Sequence, residues 1–387
     1  MNRVFLNIVF AGLAAALLCP STLAQEALHP LFDGRSLDAW EQHGNAVWSV
    51  QDGVIDGKSG GGDHGWLCTK KHYGDFTLEL EVKIDSGNSG VQIRSHFGSK
   101  GQMVGYQIEV DPTERAWSGG LYEQGRRGWL QNLTNNTPAR KAFKVGEWNK
   151  YRIECVGDSI KSWINGVPAT DYIDSMDIEG TIALQVHAGK TTHVQFRNIR
   201  LHDLGRRSWK PLSGGETLNG WHQIGKGEWK IEDGVITGKH AKSEGEFGHL
   251  VTDATFKDFT VRLKYEAIEG NSGLYFRVEE KGFSGVTGFQ AEIDPLKDAG
   301  GLYETNGRAW VSQPKPEDVK KWYRPNEWNM MTVSAHGRRI AVDVNGYRSA
   351  ELKDDPGRAE GKLALQLHGG QDVQVMFKDV EILGGSN

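Results

Sequence analysis

Along "DFTLELEVKI", Phe76, Leu78, Leu80, Val82 and Ile84 alternate with Thr77, Glu79, Glu81 and Lys83. A period of two gives a strand one apolar and one wet face. The alternation returns at Phe259, Val261, Leu263 and Tyr265. In "GVQIRS" it turns Val91 and Ile93 inward and Gln92 and Arg94 outward. In "GYQIEVD" Ile108 and Val110 go inward while Gln107, Glu109 and Asp111 share the other face; in "TIALQVH" Ile182, Leu184 and Val186 go inward and leave Gln185 and His187 outside. Gly, Asn and Asp turns separate such runs, with Asn-Gly hairpin signals at Asn165-Gly166 and Asn345-Gly346. The best helical fragment, "PEDVKKWY" from Pro316, spans about two turns in a connection. The pattern predicts an all-β fold of antiparallel sandwiches, and fifty glycines agree with its many tight turns.

The pattern is also written twice. Trp40, Trp48 and "DGVI" from Asp52 return as Trp221, Trp229 and "DGVI" from Asp233. "NSG" from Asn88 returns at Asn271, "GYQIEVDP" from Gly105 becomes "GFQAEIDP" from Gly288, and "GGLYE" from Gly119 returns at Gly300. "EWN" from Glu147 returns at Glu327, and "ALQVHAG" from Ala183 becomes "ALQLHGG" from Ala364, with the offset always between 180 and 183. Two copies of so long a unit indicate a duplicated globular domain, since solenoid repeats are far shorter and more numerous. The join falls near "DLGRRSW", Asp203 to Trp209, and divides the mature chain into residues 25–205 and 206–387.

Residues 1–24 precede these domains. Arg3 stands before an uncharged apolar run from Val4 to Leu18, followed by Thr22-Leu23-Ala24. That is the layout of a cleaved signal peptide, so the expected location is periplasmic or secreted, with no membrane contact after cleavage. Losing Arg3 takes the net charge from -5 to -6. Charges of both signs are interspersed, so the chain has no basic groove for nucleic acid and no tail for anionic lipid. Cys68 and Cys155 remain after the leader. Their matched positions, Val251 and Ala335, point to buried fillers at least as strongly as to a bridge, and no His/Cys set has zinc-site spacing.

Any half-exposed strand shows polar residues at alternate positions. The duplication separates function from solvation here: Arg94, Gln107, Glu109, Asp111, Gln185 and His187 recur as Arg277, Gln290, Glu292, Asp294, Gln366 and His368, whereas Glu79 and Lys83 become Arg262 and Glu266. The catalytic candidates are therefore Arg94, Glu109, Asp111 and His187, with Arg277, Glu292, Asp294 and His368 in the second copy. Gln107, Gln185, Gln290 and Gln366 can orient hydroxyls. Tyr122 and Arg127, matched by Tyr303 and Arg308, can supply a phenol and a guanidinium at the rim. Trp117 and Trp129 offer stacking or core packing, and "GGGDHGW" from Gly60 reads as a mobile loop with no assigned role. No organic cofactor or metal site is assigned, although Glu109 and Asp111 would equally suit a calcium ion.

"LFDGRSLDAW", "DGVIDG", "NSGVQIRS", "GYQIEVDP", "GGLYE", "GEWN", "GTIALQVH" and "VQFRNIRL" resemble the 3-keto-disaccharide hydrolase domain family, over nearly all of both halves. The resemblance implies two tandem concanavalin A-like jelly-roll β-sandwich domains in an exported bacterial protein. It also implies action on glycosides whose sugar carries a 3-ketone. Such a ketone acidifies the hydrogen on carbon 2 and lets the substituent on carbon 1 leave by elimination, after which water adds. The reaction needs a base, an enolate stabiliser and an acid. His187 or Glu109 is the candidate base, and Arg94 the cation for the oxyanion. Paired carboxylates could instead assist direct hydrolysis with the same residues.

Two other readings use the same face. "EVDPTE", Glu109 to Glu114, is similar to the ExDxxE strand of laminarinase-type glycoside hydrolases, but Lys297 stands at the position matching Glu114. A tandem carbohydrate-binding module would hold sugar without reaction, and two linked sites would add avidity. The second copy also departs from the first: Arg197 becomes Lys378, Tyr106 becomes Phe289 and Gln92 becomes Tyr275.

Overall fold

The computed structural model of the protein describes residues 27–384 except 190 and 214. The expected leader, residues 1–24, lies outside the described residues. The alternating runs form the strands Asp75–Ser86, Ser89–Phe97, Met103–Val110 and Thr181–Val186. Three of these are neighbours in a seven-stranded sheet, in the order Met103–Val110, Ser89–Phe97, Thr181–Val186, paired antiparallel. Leu121–Gln124 and Gly128–Gln131 extend the sheet on one side, and Gly65–Thr69 and Trp40–Gly44 on the other. An eight-stranded sheet with Asp75–Ser86 and His193–Gly205 side by side packs against it. The second half repeats the plan with Ser272–Lys281, Gly285–Ile293 and Lys362–Leu367 in its seven-stranded sheet. The fold is two tandem jelly-roll β-sandwiches.

Parity explains why each sandwich closes. Phe76, Leu78, Leu80, Val82 and Ile84 of one sheet meet Val91, Ile93, Ile108, Val110, Leu184 and Val186 of the other, all 1% exposed or less. Such burial is worth about 25 cal/mol per Å². A one-residue slip would exchange the two faces and forfeit it, so the register is fixed. The Asn-Gly pairs make the hairpins expected of them: Asn165 and Gly166 have φ of 50° and 81°, both in the left-handed region that such tight turns require. Among the described residues Pro316–Trp322 is the one two-turn helix, and Cys68 and Cys155 are free and buried, so these two cysteines fill the core and form no bridge. Among the described residues, no helix is long and apolar enough to cross a membrane.

Arg94 departs from the parity rule. The ladder shifts register between Ile93 and His96, and Arg94 takes φ of 46°. A bulge of this kind re-aims the side chain. Arg94 is fully buried, donating to Gly74 O (2.8 Å) and Gly157 O (2.6 Å) and pairing with Asp75 (3.1 Å), at the edge of the opposite sheet. Arg277 repeats this, with φ of 52° and bonds to Arg358 O and Gly337 O. Both arginines bolt the sheets together and neither faces a ligand. Arg197 and Lys378 lie over Trp148 and Trp328 on the eight-stranded sheets, so that exchange also falls outside any cleft.

The halves meet through buried polar contacts. Asp158, 1% exposed, accepts from Thr260 and Ser334 and pairs with His336 (3.1 Å). Arg127 pairs with Glu123 and Asp174 and donates to Gly346 O of the second half (2.7 Å), which makes it a tether between halves and removes it from the sugar-binding candidates.

Arg94→Met should lower the unfolding free energy by about 2–5 kcal/mol, because it leaves two buried carbonyls without a donor, while Asp75 keeps Arg207 and the Gly157 N–H. Urea denaturation measures this. A variant with wild-type stability would contradict the bolting role.

Candidate functional site

In the first sandwich the polar face of the Met103–Val110 strand lies under a rim and forms the floor of a cavity of about 580 Å³. Gln107 and Glu109, each 4% exposed, stand on this floor beside Asp111, 1% exposed, just past the strand. Three donors hold the buried Glu109 carboxylate: Asn88 (2.9 Å), Gln107 (2.9 Å) and Arg115 (2.8 Å). Gly119 accepts no side chain, since a Cβ there would lie 2.7 Å from Ala169 Cβ, and its N–H donates to Glu109 O (2.8 Å). Gly90 leaves room for Gln107: an added Cβ would stand 2.4 Å from the Gln107 amide carbon. "NSG" and "GGLYE" therefore build the carboxylate's seat.

Burial pushes the Glu109 carboxyl up; the Asn88 and Gln107 hydrogen bonds and the Arg115 charge pull it back, while the Asp111 charge adds to the rise. At Asp111 burial is again the largest influence and opposes ionisation. Hydrogen bonds from Thr113, Arg115 and the backbone of Trp117 outweigh it and hold Asp111 below the usual carboxylate range. Arg115 bridges both acids, with Nε 2.7 Å from Asp111, and its guanidinium lies 5.1 Å from the Trp129 ring. Among the described lining residues it is the one permanent cation. Amides continue the floor: Gln92 donates to Gln107 (2.6 Å) and Gln124 (2.5 Å), and Gln185 donates to Gln124 (3.2 Å). The buried Gln185 Oε1 has no partner among the described residues and is open to a hydroxyl.

Two imidazoles close the other side. His187 Nδ1 lies 2.9 Å from Ala188 O, which assigns the proton to Nδ1 and leaves Nε2 with a lone pair. His64 Nδ1 accepts from the Ala188 N–H (3.2 Å), so its proton sits on Nε2. The rings are 4.5 Å apart, edge to face. Burial pushes His64 down and His187 pushes it further, while the Asp63 charge opposes them without reversing the shift. One ring offers an acceptor and its neighbour a donor.

The cavity thus gathers Glu109, Asp111, Gln107, Gln185, His187 and Tyr122, whose ring meets Trp129 edge-on at 5.2 Å. Arg94 and Arg127 lie elsewhere, as described. Sequence reading missed Arg115, His64, Asn88 and Gln124. Asn88 was visible in the repeated "NSG"; the others have no identical partner in the second copy. Glu114 is exposed in the turn after the strand and lines no part of the cavity, so the laminarinase-like third acid is not on this face. Among the described residues no group of three or more His, Cys, Asp or Glu side chains is arranged to hold a metal ion, and Glu109 and Asp111 are spanned by Arg115.

Residues 28–202 and again 208–383 match the 3-keto-alpha-glucoside-1,2-lyase-like domain family. The chain belongs to this family. It consists of two tandem lyase-like domains of a carbohydrate-related type. No functionally curated protein is significantly similar to it. Among solved structures, a candidate glycosyl hydrolase from Parabacteroides distasonis is 27% identical, covering 41% of this chain and 94% of its own, with a TM-score of 0.32. The carbohydrate-binding module CBM66 from Bacillus subtilis is 18% identical, covering 43% and 96%, with a TM-score of 0.35. A β-1,3-1,4-glucanase (lichenase) from a mouse hindgut metagenome is 13% identical, covering 42% and 92%, with a TM-score of 0.31.

The second lyase-like domain has the same cleft with different neighbours. Gln290, Glu292, Asp294, Tyr303, Gln366 and His368 line a cavity of about 630 Å³. Arg308 pairs with Glu304 and Asp355 outside it and is a structural counterpart of Arg127. Asp298 follows Lys297 where Arg115 follows Glu114, and Phe247 replaces His64. Tyr275 replaces Gln92 and accepts from Gln366 (3.1 Å), whose Oε1 in turn receives Gln290 (3.2 Å). Gln290 is thereby turned away, and among the described residues Asn271 alone donates to the Glu292 carboxyl. Burial pushes the Glu292 carboxyl up to about 8; Asn271 opposes this, and the Asp294 and Asp298 charges reinforce it against a smaller pull from Lys297. Glu292 is protonated at neutral pH. Burial likewise pushes His249, at the back of this cavity, down to about 4, so it stays neutral.

A carboxyl raised on folding favours the folded state below its unfolded pKa of about 4.5, and that contribution is lost as pH rises through about 8. Wild-type melting temperature should therefore fall between pH 5 and 9 relative to Glu292→Gln, measured by calorimetry. Parallel pH profiles for the two proteins would contradict a buried neutral Glu292.

Proposed function

We propose that the first lyase-like domain cleaves the glycosidic bond of 3-keto-glycosides by elimination followed by hydration. The observation that carries this reading is the pair of imidazoles with fixed, complementary tautomers, His187 and His64, beside the Arg115 cation. His187 Nε2 takes the proton from carbon 2, which the ketone at carbon 3 acidifies. The electron pair forms the carbon 1–carbon 2 double bond as the bond from carbon 1 to the leaving oxygen breaks. His64 Nε2–H gives its proton to that oxygen and becomes an imidazolate, whose charge the new imidazolium of His187 offsets from 4.5 Å away. Water then adds across the double bond: hydroxyl goes to carbon 1, the proton held by His187 returns to carbon 2, and the proton of water restores His64.

Arg115 faces the enolate oxygen in the role assigned from sequence to Arg94, which is buried between the sheets. Glu109 does not serve as base in this scheme, because its two oxygens already accept from three donors. It fixes Arg115 and Gln107 instead. Charge that develops on the substrate meets dipoles already oriented, which is where such sites gain most of their rate. The proposal includes export through residues 1–24 to the periplasm or medium; an amino terminus at Gln25 in the secreted protein would agree with it, and an unprocessed chain would not.

Incubation with a 3-keto-α-glucoside disaccharide and with its unoxidised parent tests the reaction. Cleavage of the ketone form alone is expected. Cleavage of the parent would indicate an ordinary glycosidase, and binding of both without turnover a binding module. His187→Ala should cost about 10²–10⁴-fold in kcat. His64→Ala should slow a poor alcohol leaving group far more than 4-nitrophenolate, and equal losses would rule out His64 as the acid.

A further inference from the structure

The two clefts differ most at their mouths. Around the second, Leu296 is 88% exposed, Phe283 61%, Ile268 47% and Phe247 37%. The matched positions of the first domain are Thr113, Lys100, Asp85 and His64. Four polar positions have thus become large and apolar together. Phe247 lines the second cavity, and Phe283 precedes Ser284 on its wall. Ile268 and Leu296 line an adjoining groove of about 460 Å³ that shares Asn271, Asp294 and His368 with the cavity. The apolar surface is therefore continuous with the polar floor. Exposed side chains of this kind, gathered at one cleft, mark a ligand surface.

We infer that the second domain is a specificity site for glycosides carrying an apolar aglycone, with the sugar on the Gln290–Gln366 floor beside Trp310 and the aglycone on the Leu296 and Ile268 groove. The floor suits an uncharged sugar. Glu292 is a neutral donor there, Asp298 stands where Arg115 supplies a cation in the first cleft, and Tyr303 packs edge-on against Trp310 at 5.3 Å. His249 and His368 line this cleft, but Phe247 replaces His64 and Asp298 replaces Arg115, so it lacks the acid and the cation of the first cleft and holds its ligand. The inference rests on the carbohydrate reading of the clefts, and does not require the first to be a lyase.

Calorimetric titration of the full chain with unoxidised 4-nitrophenyl α-D-glucoside and methyl α-D-glucoside tests it. The nitrophenyl compound should bind about tenfold more tightly, the effect of covering part of one ring. The double variant Ile268→Asp, Leu296→Thr, which installs the first domain's residues at exposed positions, should lose that advantage while keeping its melting temperature and its affinity for the methyl glucoside. Trp310→Ala should weaken both ligands, and Trp129→Ala in the first cleft should leave the preference intact. Equal affinities, no binding of either glucoside, or a preference that survives the double variant or disappears with Trp129→Ala would overturn the inference. So would a dimer of the full chain that dissociates on Leu296→Thr, because the rim would then serve another copy. Failure of the lyase reading appears separately, as absent cleavage of the 3-keto substrate with the aglycone preference unchanged.

Discussion

A carboxylate placed under the rim of a β-sheet must be matched by donors, and the seat of Glu109 organises much of the first domain around that requirement. Desolvating the group costs several kcal/mol unless it is paired and hydrogen-bonded. Asn88 reaches it from the adjacent strand, Gln107 from two residues away on its own strand, and Arg115 from the turn beyond. Each donor needs its own support. Gln92 holds Gln107, Gly90 leaves space for it, and the Trp117 and Trp129 rings hold the guanidinium of Arg115. The Gly119-Gly120 turn fixes the backbone of Glu109 from the other side. A charged floor and a rigid neighbouring backbone are thus one arrangement.

The fold was legible because both of its signals are strong in a single sequence. Period-two alternation over Phe76 to Ile84 has one physical solution, and the offset repeat marks two equal units. The cleft floor was legible for the same reason: parity placed Gln107 and Glu109 together, and they do lie side by side. Parity then failed at Arg94, because the rule assumes an unbroken ladder and the chain bulges there. Identity between copies at Arg94 and Arg277 was real, but it reflects bolting of the sheets. Arg127 and Arg308 misled similarly, since the acids that hold them, Asp174 and Asp355, lie 47 residues away on other segments. His64 was hidden in a glycine-rich loop with no period to read, and Arg115 in a turn where the copies differ in length.

Comparison of the two domains shows what a duplicated site conserves. Asn88, Ser89 and Gly90 match Asn271, Ser272 and Gly273, and in both domains the serine donates to a backbone carbonyl on the neighbouring strand while the glycine clears space for a glutamine. These residues make the cleft. His187 and the two acids persist as His368, Glu292 and Asp294, but the residues around them have changed: His64 to Phe247, Gln92 to Tyr275, Gln124 to Thr305, and Arg115 to an acid-bearing turn. The altered positions are neighbours in space, so each change conditions the next. With Tyr275 in place, Gln366 turns to the phenol and Gln290 turns to Gln366, and Glu292 loses the amide that Glu109 keeps.

An identical letter in two copies is therefore no evidence of identical charge. Glu109 and Glu292 occupy equivalent strands with almost the same burial, 4% and 5% exposed. One lies beside a guanidinium, two amides and one acid, the other beside two acids, one amide and a weaker pull from Lys297. Neighbours within hydrogen-bonding reach decide the proton, because in a dry site each donor or like charge shifts the balance by more than burial differs between the copies. A proton on Glu292 converts an acceptor floor into a donor and removes the electrostatic reason for a cation at the mouth. Asp298 then stands in place of Arg115, and hydrocarbon replaces polar groups where Leu296 and Ile268 stand for Thr113 and Asp85.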